Sequence, residues 1–200
     1  MIIRPVYNIL LLPDVSYYFK KEFFKDWCEG PLENETDILF VMLKEEKENL
    51  PLSPDDFYPI GISAKIEGSG DGDNVSVRTI ERVDISDLEV LDGHLTADAA
   101  IRPEVQDITA EEEKEIFSQL RTSLLKFVQG YQWGLWARSF ILQRKNIHDL
   151  VCALSDYLNL SGEEKYAILA ADSRKDRCLL ILQAVNEFME IAKVSEEAKT

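Results

Sequence analysis

The residues that could carry out catalysis are few and far apart in this chain. It has two histidines, His94 and His148, and no G-x-S-x-G sequence that would present a nucleophilic serine on a sharp turn. His94 falls in a predicted turn and His148 in the first turn of a predicted helix, where we expect a solvated side chain. A nucleophile needs a base within hydrogen-bonding reach, and although a Ser–Lys pair is possible, no spacing marks one. We therefore predict that this chain contains no catalytic residues.

The glycine-rich segment Gly68–Asn74 is the next place where chemistry could reside. A phosphate-binding loop would continue into Lys-Ser or Lys-Thr and a helix, whereas this segment lies between two predicted strands. Asp71 and Asp73 could begin a calcium loop, but Val75 stands at the third ligand position and Arg82 where a bidentate glutamate is required. We therefore predict a hairpin turn, with no metal and no cofactor bound by this chain.

The three cysteines, Cys28, Cys152 and Cys178, are odd in number and widely spaced, which argues against a disulfide framework or a zinc site. Cys152 and Cys178 stand among apolar helical positions, and we expect both to be reduced core residues. Cys28 follows Trp27 in a less regular stretch, where its thiol could be accessible to solvent.

Aromatic residues are the more informative surplus. Six of them, interleaved with lysines, lie within eleven residues and form a first candidate surface: Tyr17, Tyr18, Phe19, Phe23, Phe24 and Trp27. A second candidate surface, interrupted by glycines, consists of Tyr131, Trp133 and Trp136. Aromatic clusters often pack inside a core, and that interpretation stays open for both. The alternative is an exposed apolar patch that binds unfolded polypeptide, and this interpretation is stronger for the first cluster.

The composition narrows the possible partners. Hydrophobic residues make up 46% and charged residues 30% of the 200 residues, and the formal net charge is −15. Such a charge repels DNA unless a basic patch exists, and the two small basic groups, at 20–25 and 138–145, fit solvated faces better. No apolar run approaches the roughly 20 residues of a membrane span, and the amino terminus lacks the features of a signal peptide. We expect a cytoplasmic protein that binds neither nucleic acid nor membrane.

The pattern of apolar residues changes near position 105. In residues 1–105, short apolar or alternating runs separated by turn signals predict strands. The predicted strands are Tyr7–Leu12, Asp37–Leu43, Ile60–Ile66, Val75–Thr79, Val83–Val90 and His94–Ile101, with turns at Gly68–Asn74 and at Asp92 and Gly93. Six short strands with few helices favour a small β-barrel-like lobe, closed or half-closed.

Residues 106–200 show helical periodicity instead. Capping boxes begin at Thr109 and Ser161, Asn146 is a candidate N-cap, and Ser173 opens a final helix. Apolar residues at helical spacing follow these starts and are expected to face inward: Ile116, Leu120, Leu124, Phe127, then Leu150, Val151, Leu154, Tyr157, Leu158, and finally Leu179, Leu182, Val185, Phe188 and Met189. The sequence therefore predicts an α+β protein in which the β-rich lobe is followed by a bundle of four or five helices.

Several segments, in matching order and spacing, resemble the LON domain at the amino terminus of Lon-type proteases. Asn8–Asp14 resembles the family's opening L-P-L-R-D strand, and Asp55–Ile62 resembles its E-D-L-Y-x-V-G-T segment. The remaining similar segments are Ala64–Ile66 with A-K-I, Thr79–Val83 with G-x-x-R-V, Leu158–Lys165 with L-P-L-S-x-E-E-K, and Asp176–Leu180 with E-R-L-x-x-L. The similarity extends over nearly the whole chain. It departs at Tyr18–Phe24, where the family has F-P-G-M-x-x-P-L and is thought to expose an apolar binding surface.

The resemblance implies a substrate-recognition and assembly domain that binds unfolded or tagged polypeptides in protein quality control. A complete Lon protease is a homohexamer with an AAA+ ATPase module, which uses ATP and Mg²⁺, and a Ser–Lys peptidase domain. This chain contains neither module, so we expect a fragment of an ATP-dependent serine endopeptidase that is not an enzyme by itself. The alternative is a freestanding LON-domain protein that binds a peptide or ligand without protease activity. A third hypothesis is that the domain is itself a hydrolase.

Overall fold

The computed structural model describes residues 1–47, 51–69, 72–91 and 93–197. The first half of the chain contains six strands: β1 (Ile2–Val6), β2 (Ser16–Lys20), β3 (Asp37–Met42), β4 (Ile60–Ser69), β5 (Asn74–Leu91) and β6 (His94–Ile101). Five helices follow: α1 (Ala110–Val128), α2 (Gly134–Leu142), α3 (Ile147–Leu154), α4 (Gly162–Ala170) and α5 (Arg174–Glu197). The protein is therefore of the α+β class, as the change of periodicity predicted.

Strand β5 organises the sheet because it is long enough to pair with three other strands. β4 lies antiparallel to it, while β2 pairs with its first part and β6 with its second part. β3 is antiparallel to β4, and β1 is parallel to β3. Val75, Val77 and Thr79 alternate along β5 and are fully buried. Within the described strands, no ladder joins β1 to β2 or β6, so the sheet is barrel-like without being closed.

The predicted strand Tyr7–Leu12 is wrong as a strand, although its burial is correct. It is an irregular extended segment between β1 and β2, and its last three leucines are buried. Asn8 and Asp14 have φ values of 54° and 61°, which interrupt the regular geometry that a ladder needs. Thr79 satisfies part of this backbone instead, since its hydroxyl donates to the carbonyl oxygen of Leu12 at 2.6 Å.

Two other strand predictions differ in extent. Val75–Thr79 and Val83–Val90 are parts of the one strand β5, whose pairing with β6 shifts register between Ser86 and Glu89. Strand β2 is absent from the sequence-based set because its aromatic residues do not alternate with polar ones. The predicted turns also include residues 70, 71 and 92, which lie outside the described residues.

The predicted helix starts are confirmed by their capping hydrogen bonds. The Thr109 hydroxyl accepts from the backbone N–H of Glu112 at 3.2 Å, and the Asn146 side chain accepts from that of Asp149 at 2.8 Å. The hydroxyls of Ser161 and Ser173 accept from backbone N–H groups in the same way at the starts of α4 and α5.

The faces of the helices were predicted less well. On α1 the buried residues include Phe117 and Val128, one position after the predicted Ile116 and Phe127. The predicted solvation of His148 is wrong, because its side chain is only 3% exposed. Helix α3 buries residues on most of its circumference, so His148 is covered although it lies outside the apolar stripe. Leu179 and Tyr157, predicted to face inward, are exposed.

Contacts divide the chain into two compact units, residues 1–103 with 161–170 and residues 104–160 with 171–200. Helix α4 belongs to the first unit, whereas the division at 105/106 predicted from sequence places it with the other helices. Buried Arg82 donates to the last two carbonyls of α4, at 3.2 and 3.3 Å. The Lys165 ammonium donates to the carbonyl oxygen of Asn8 at 2.9 Å, and the Tyr166 hydroxyl accepts from the N–H of Ile60 at 3.3 Å. These contacts explain why α4 packs with the strands.

In the second unit, ion pairs attach the start of α5 to the first turn of α1 and to the segment before α1. Arg174 makes a two-point contact with Glu113, at 2.5 and 2.9 Å, and also donates to Glu104 at 2.9 Å. Fully buried Arg177 donates to the other oxygen of Glu104. Glu104 therefore bridges two guanidinium groups, which fixes the first turn of α5.

Candidate functional site

The first predicted aromatic surface lies on strand β2 and the 3₁₀ turn Lys21–Phe24 that follows it. Because successive side chains of a strand point to opposite faces, Tyr17 and Phe19 lie on one side and Tyr18 on the other. Tyr18 is 78% exposed. The Tyr17 hydroxyl donates to the carbonyl oxygen of Leu10 and accepts from the N–H of Leu12, each at 3.1 Å. Tyr17 thus secures the irregular segment after β1.

The other rings of this cluster pack on one another. The Phe19 and Phe23 rings stack with centroids 4.7 Å apart, and Phe24 meets Phe23 edge-on at 5.1 Å. Phe24 is fully buried, and Phe40 of strand β3 lies 5.7 Å from Phe19. Such offset and edge-to-face arrangements are typical of aromatic cores. This part of the cluster therefore has the geometry of core packing.

Arg4 of strand β1 packs against the rings of this cluster. Its guanidinium carbon lies 4.0 Å from the centroid of the Phe23 ring and 5.5 Å from that of Trp27. Its Nε donates to the carbonyl oxygen of Phe23 at 2.7 Å, and its Nη1 to that of Pro5 at 2.6 Å. Burial lowers the pKa of Arg4 to about 10, although the negative charge of Asp26 acts to raise it. A partly buried cation held in this way indicates a structural role for the cluster.

An open hollow of about 460 Å³ lies next to this cluster. Its lining mixes charged, polar and apolar groups: Lys21, Glu22, Phe24, Lys25, Cys28, Gly30, Pro31 and Leu32. The Cys28 thiol is partly exposed and donates to the carbonyl oxygen of Gly30 at 3.2 Å. Cys152 is also partly exposed, whereas Cys178 is fully buried, and burial raises the pKa of the Cys178 thiol to about 11.

The second predicted aromatic surface is more open. Trp133 is 47% and Trp136 61% exposed, and the neighbouring Leu135 is almost fully solvated. The Tyr131 and Trp133 rings lie with centroids 4.8 Å apart, and Trp136 stacks on Phe140 at 5.3 Å. The structure therefore pairs Tyr131 with Trp133, and it pairs Trp136 with Phe140, which the sequence analysis omitted although it lies one helical turn after Trp136.

Trp133, Trp136 and Phe140 border an apolar groove within the second unit, which we call the helical groove. Its volume is about 340 Å³. Residues of α1, α2, α3 and α5 and of the connecting segments line it: Leu124, Phe127, Val128, Trp133, Trp136, Ala137, Phe140, Ile141, Leu154, Tyr157 and Phe188. Five of these have the helical spacing that predicted core positions: Leu124, Phe127, Leu154, Tyr157 and Phe188. Leu124 and Leu154 are buried, whereas Phe127 and Phe188 are only partly covered and Tyr157 is exposed.

Gly134 allows the chain to turn sharply into α2 beside the groove. A Cβ atom at this position would lie 2.1 Å from the carbonyl oxygen of Val128, so only glycine permits the approach. The N–H of Gly134 donates to the carbonyl oxygen of Tyr131 at 2.9 Å. Gly134, one of the two glycines that interrupt the aromatic cluster in the sequence, therefore helps to place it.

Other kinds of site were sought in the described residues. No group of three or more histidine, cysteine, aspartate or glutamate side chains there is arranged to hold a metal ion. None of the helices in this part of the chain combines the length and the apolar character needed to cross a membrane. The two histidines lie on different elements, His94 at the start of β6 and His148 inside α3.

Comparison with known proteins agrees with this fold. Residues 3–187 match the model of the ATP-dependent protease La (LON) substrate-binding domain. Because the match covers most of the chain, the chain belongs to this family. The N-terminal domain of a Lon protease from the Mycobacterium avium complex shares the fold, with a TM-score of 0.58 at 15% identity over 93% of this chain and 97% of that one.

Full-length relatives are much longer. A Lon protease of Clostridium beijerinckii is 24% identical over 200 residues, which are 96% of this chain and 25% of the relative. Lon protease 1 of Bdellovibrio bacteriovorus is 24% identical over 198 residues, 95% of this chain and 25% of the relative. The chain thus spans about a quarter of the length of these relatives, and it corresponds to the substrate-binding domain of the family.

Proposed function

We propose that this chain is the substrate-recognition part of a Lon-type ATP-dependent protease, and that it binds unfolded or tagged polypeptides before they are degraded. The observation that carries the proposal is the match of residues 3–187 to the LON substrate-binding domain. The solvent-exposed aromatic side chains of this chain also support the proposal. An unfolded substrate exposes hydrophobic residues, and these can pack against exposed aromatic rings.

In this proposal the rest of the protease performs the chemistry. An AAA+ ATPase module uses ATP and Mg²⁺ to move the substrate, and a Ser–Lys peptidase domain cleaves it. The chain itself contributes binding energy and helps a homohexamer to assemble, as part of cytoplasmic protein quality control. The freestanding alternative is not favoured, because both full-length relatives that match are Lon proteases.

Weak binding by one copy is sufficient for this role. When several copies act on one long substrate, each later contact becomes intramolecular and raises the apparent affinity without any new type of contact. A recognition domain can therefore bind many sequences with low affinity and still retain an unfolded chain. Fast dissociation from one copy also allows the substrate to pass onward.

The test is a comparison of one protein in its unfolded and folded states. Lysozyme that has been reduced and capped with iodoacetamide stays unfolded, and native lysozyme has the same composition. The purified chain should bind the unfolded form by fluorescence anisotropy, without added nucleotide, and should not bind the native form measurably. It should cleave neither. Equal binding to both forms would indicate attraction by net charge alone and would contradict the proposal.

A further inference from the structure

The helical groove is lined entirely by hydrophobic residues. Every one of its lining residues is aliphatic or aromatic, and none carries a charge. The only side-chain polar atoms among them belong to the tyrosine hydroxyl and the two indoles, which lie on partly exposed residues. A buried charge or amide of a ligand would therefore lose its hydration without gaining partners. The groove excludes polar side chains and suits carbon-rich ones.

The groove has a covered floor and an exposed rim. Leu124, Ala137 and Ile141 on the floor are at most 5% exposed. Trp136 and Tyr157 on the rim are 61% and 59% exposed. A volume of about 340 Å³ is at the lower end of ligand sites and accommodates one or two bulky side chains rather than a folded domain.

Charge distinguishes between the occupants that such a groove could accept. A second copy of this chain would bring two bodies of net charge −15 together, and like charges oppose association unless a large interface compensates. An extended polypeptide with neutral or basic residues around its apolar side chain meets no such repulsion. The same field attracts basic segments and repels acidic ones.

We propose that the helical groove binds a bulky apolar side chain, aromatic or branched aliphatic, from an unfolded segment whose neighbouring residues are neutral or basic. This inference rests on the proposed function and assigns its binding site to Trp133, Trp136, Phe140 and Tyr157. The first aromatic cluster has a structural role in this assignment, because its rings and Arg4 hold β1, β2 and the following turn together.

Rim residues provide the variants for the test, because truncating an exposed side chain leaves the fold intact. Trp136→Ala and Tyr157→Ala should each weaken binding of unfolded lysozyme several-fold, and the double variant by about 10–100-fold. Tyr18→Ala is the matched control, since it removes an aromatic ring that is exposed to a similar degree on β2. Its affinity should stay within about twofold of that of the unchanged chain. Circular dichroism confirms that each variant is folded.

Three unstructured peptides test the proposed occupant. Each has twelve residues, with a central Phe-Leu pair flanked by lysines, the same pair flanked by glutamates, or Ser-Ser flanked by lysines. We expect the first peptide to bind best. The second should bind more weakly than the first at low salt and approach its affinity at high salt. The third should bind at least about tenfold more weakly than the first at every salt concentration. Quenching or a shift of tryptophan emission should accompany binding of the first peptide and be reduced in Trp136→Ala.

The outcomes separate the two proposals. No binding of unfolded lysozyme by the unchanged chain contradicts the proposed function itself. Binding that Tyr18→Ala weakens, while the rim variants bind normally, overturns the groove assignment and leaves the proposed function standing. Sedimentation that shows a dimer, converted to a monomer by Trp136→Ala, identifies a second copy as the occupant and also overturns the inference. Equal binding of the Phe-Leu and Ser-Ser peptides overturns the proposed ligand class.

Discussion

At the scale of single residues, the two aromatic clusters show why a local surplus of rings does not by itself indicate a binding surface. In the first cluster, Tyr18 points away from Tyr17 and Phe19 because a strand directs successive side chains to two faces, and Tyr18 is 78% exposed. Phe24, on the 3₁₀ turn that follows the strand, is fully buried. The second cluster has only three rings, yet two of them remain open to solvent. The number of aromatic residues predicted neither difference, since exposure depends on what packs against each face.

Truncation of these rings should separate core residues from surface residues. Phe24→Ala should lower the free energy of unfolding by about 3–5 kcal/mol, because it removes a fully buried ring from contact with Phe19, Phe23 and Phe40. Tyr18→Ala should change it by no more than about 0.5 kcal/mol. Urea titrations followed by circular dichroism measure both. Equal, small effects would show that the cluster is not packed as described.

At the scale of elements, the sequence predicted the types of structure better than their boundaries. Capping boxes have specific hydrogen bonds, so the starts of α1, α3, α4 and α5 could be read from Thr109, Asn146, Ser161 and Ser173. Strand pairing depends on distant partners. The apolar character of Tyr7–Leu12 did not indicate that Asn8, within the run, and Asp14, just after it, have positive φ values. Burial was therefore predictable there, whereas membership of the sheet was not.

The candidate groove was only partly predictable for the same reason. Tyr131, Trp133 and Trp136 could be proposed from the sequence, because three aromatic residues lie close together there and are interrupted by glycines. Phe188 and Tyr157 had the spacing of core residues, and nothing local in the sequence shows that the helices leave them partly or largely uncovered. A groove arises from what several helices leave unfilled together, which is a property of packing and not of periodicity.

The turn between α1 and α2 permits a test of how the groove is built. Gly134→Ala should lower the free energy of unfolding by about 1–3 kcal/mol, because its Cβ atom would meet the Val128 carbonyl oxygen at 2.1 Å and force the backbone to shift. Gly130→Ala is the matched control, since its Cβ atom would lie at an ordinary 3.9 Å from the Phe127 carbonyl oxygen. Thermal melts compare the two, and similar melting temperatures would contradict the close approach.

At the scale of the whole molecule, the excess of carboxylates sets how stability depends on pH. The chain has 37 acidic and 22 basic residues, and several carboxylates are held by hydrogen-bond donors. The capping carboxylates Glu112 and Glu164 have lowered pKa values because backbone N–H groups at Thr109 and Ser161 donate to them. Each such group stabilises the fold more when ionised, so the protein should lose stability in acid.

Glu104 gives the sharpest form of this prediction. Burial would raise its pKa, but hydrogen bonds and charge from Arg177 and Arg174 outweigh burial and lower the pKa below the ordinary 4.5. A carboxylate with a lowered pKa contributes stability that is present above its unfolded-state pKa and is lost as the pH falls through its folded-state pKa. Stability should therefore decline as the pH falls below about 4.5, and Glu104→Gln should make this decline shallower.

The substitution also has a cost at neutral pH, where Glu104→Gln should lower the free energy of unfolding by roughly 1.5–3 kcal/mol, because two charged donors lose their anionic acceptor. Glu190→Gln, which alters an exposed carboxylate on α5, is the control and should leave both the neutral value and the acid slope nearly unchanged. Urea titrations from pH 7 to pH 3 measure both quantities. If Glu104→Gln retained the full acid slope, Glu104 would not be the anionic bridge between the two arginines.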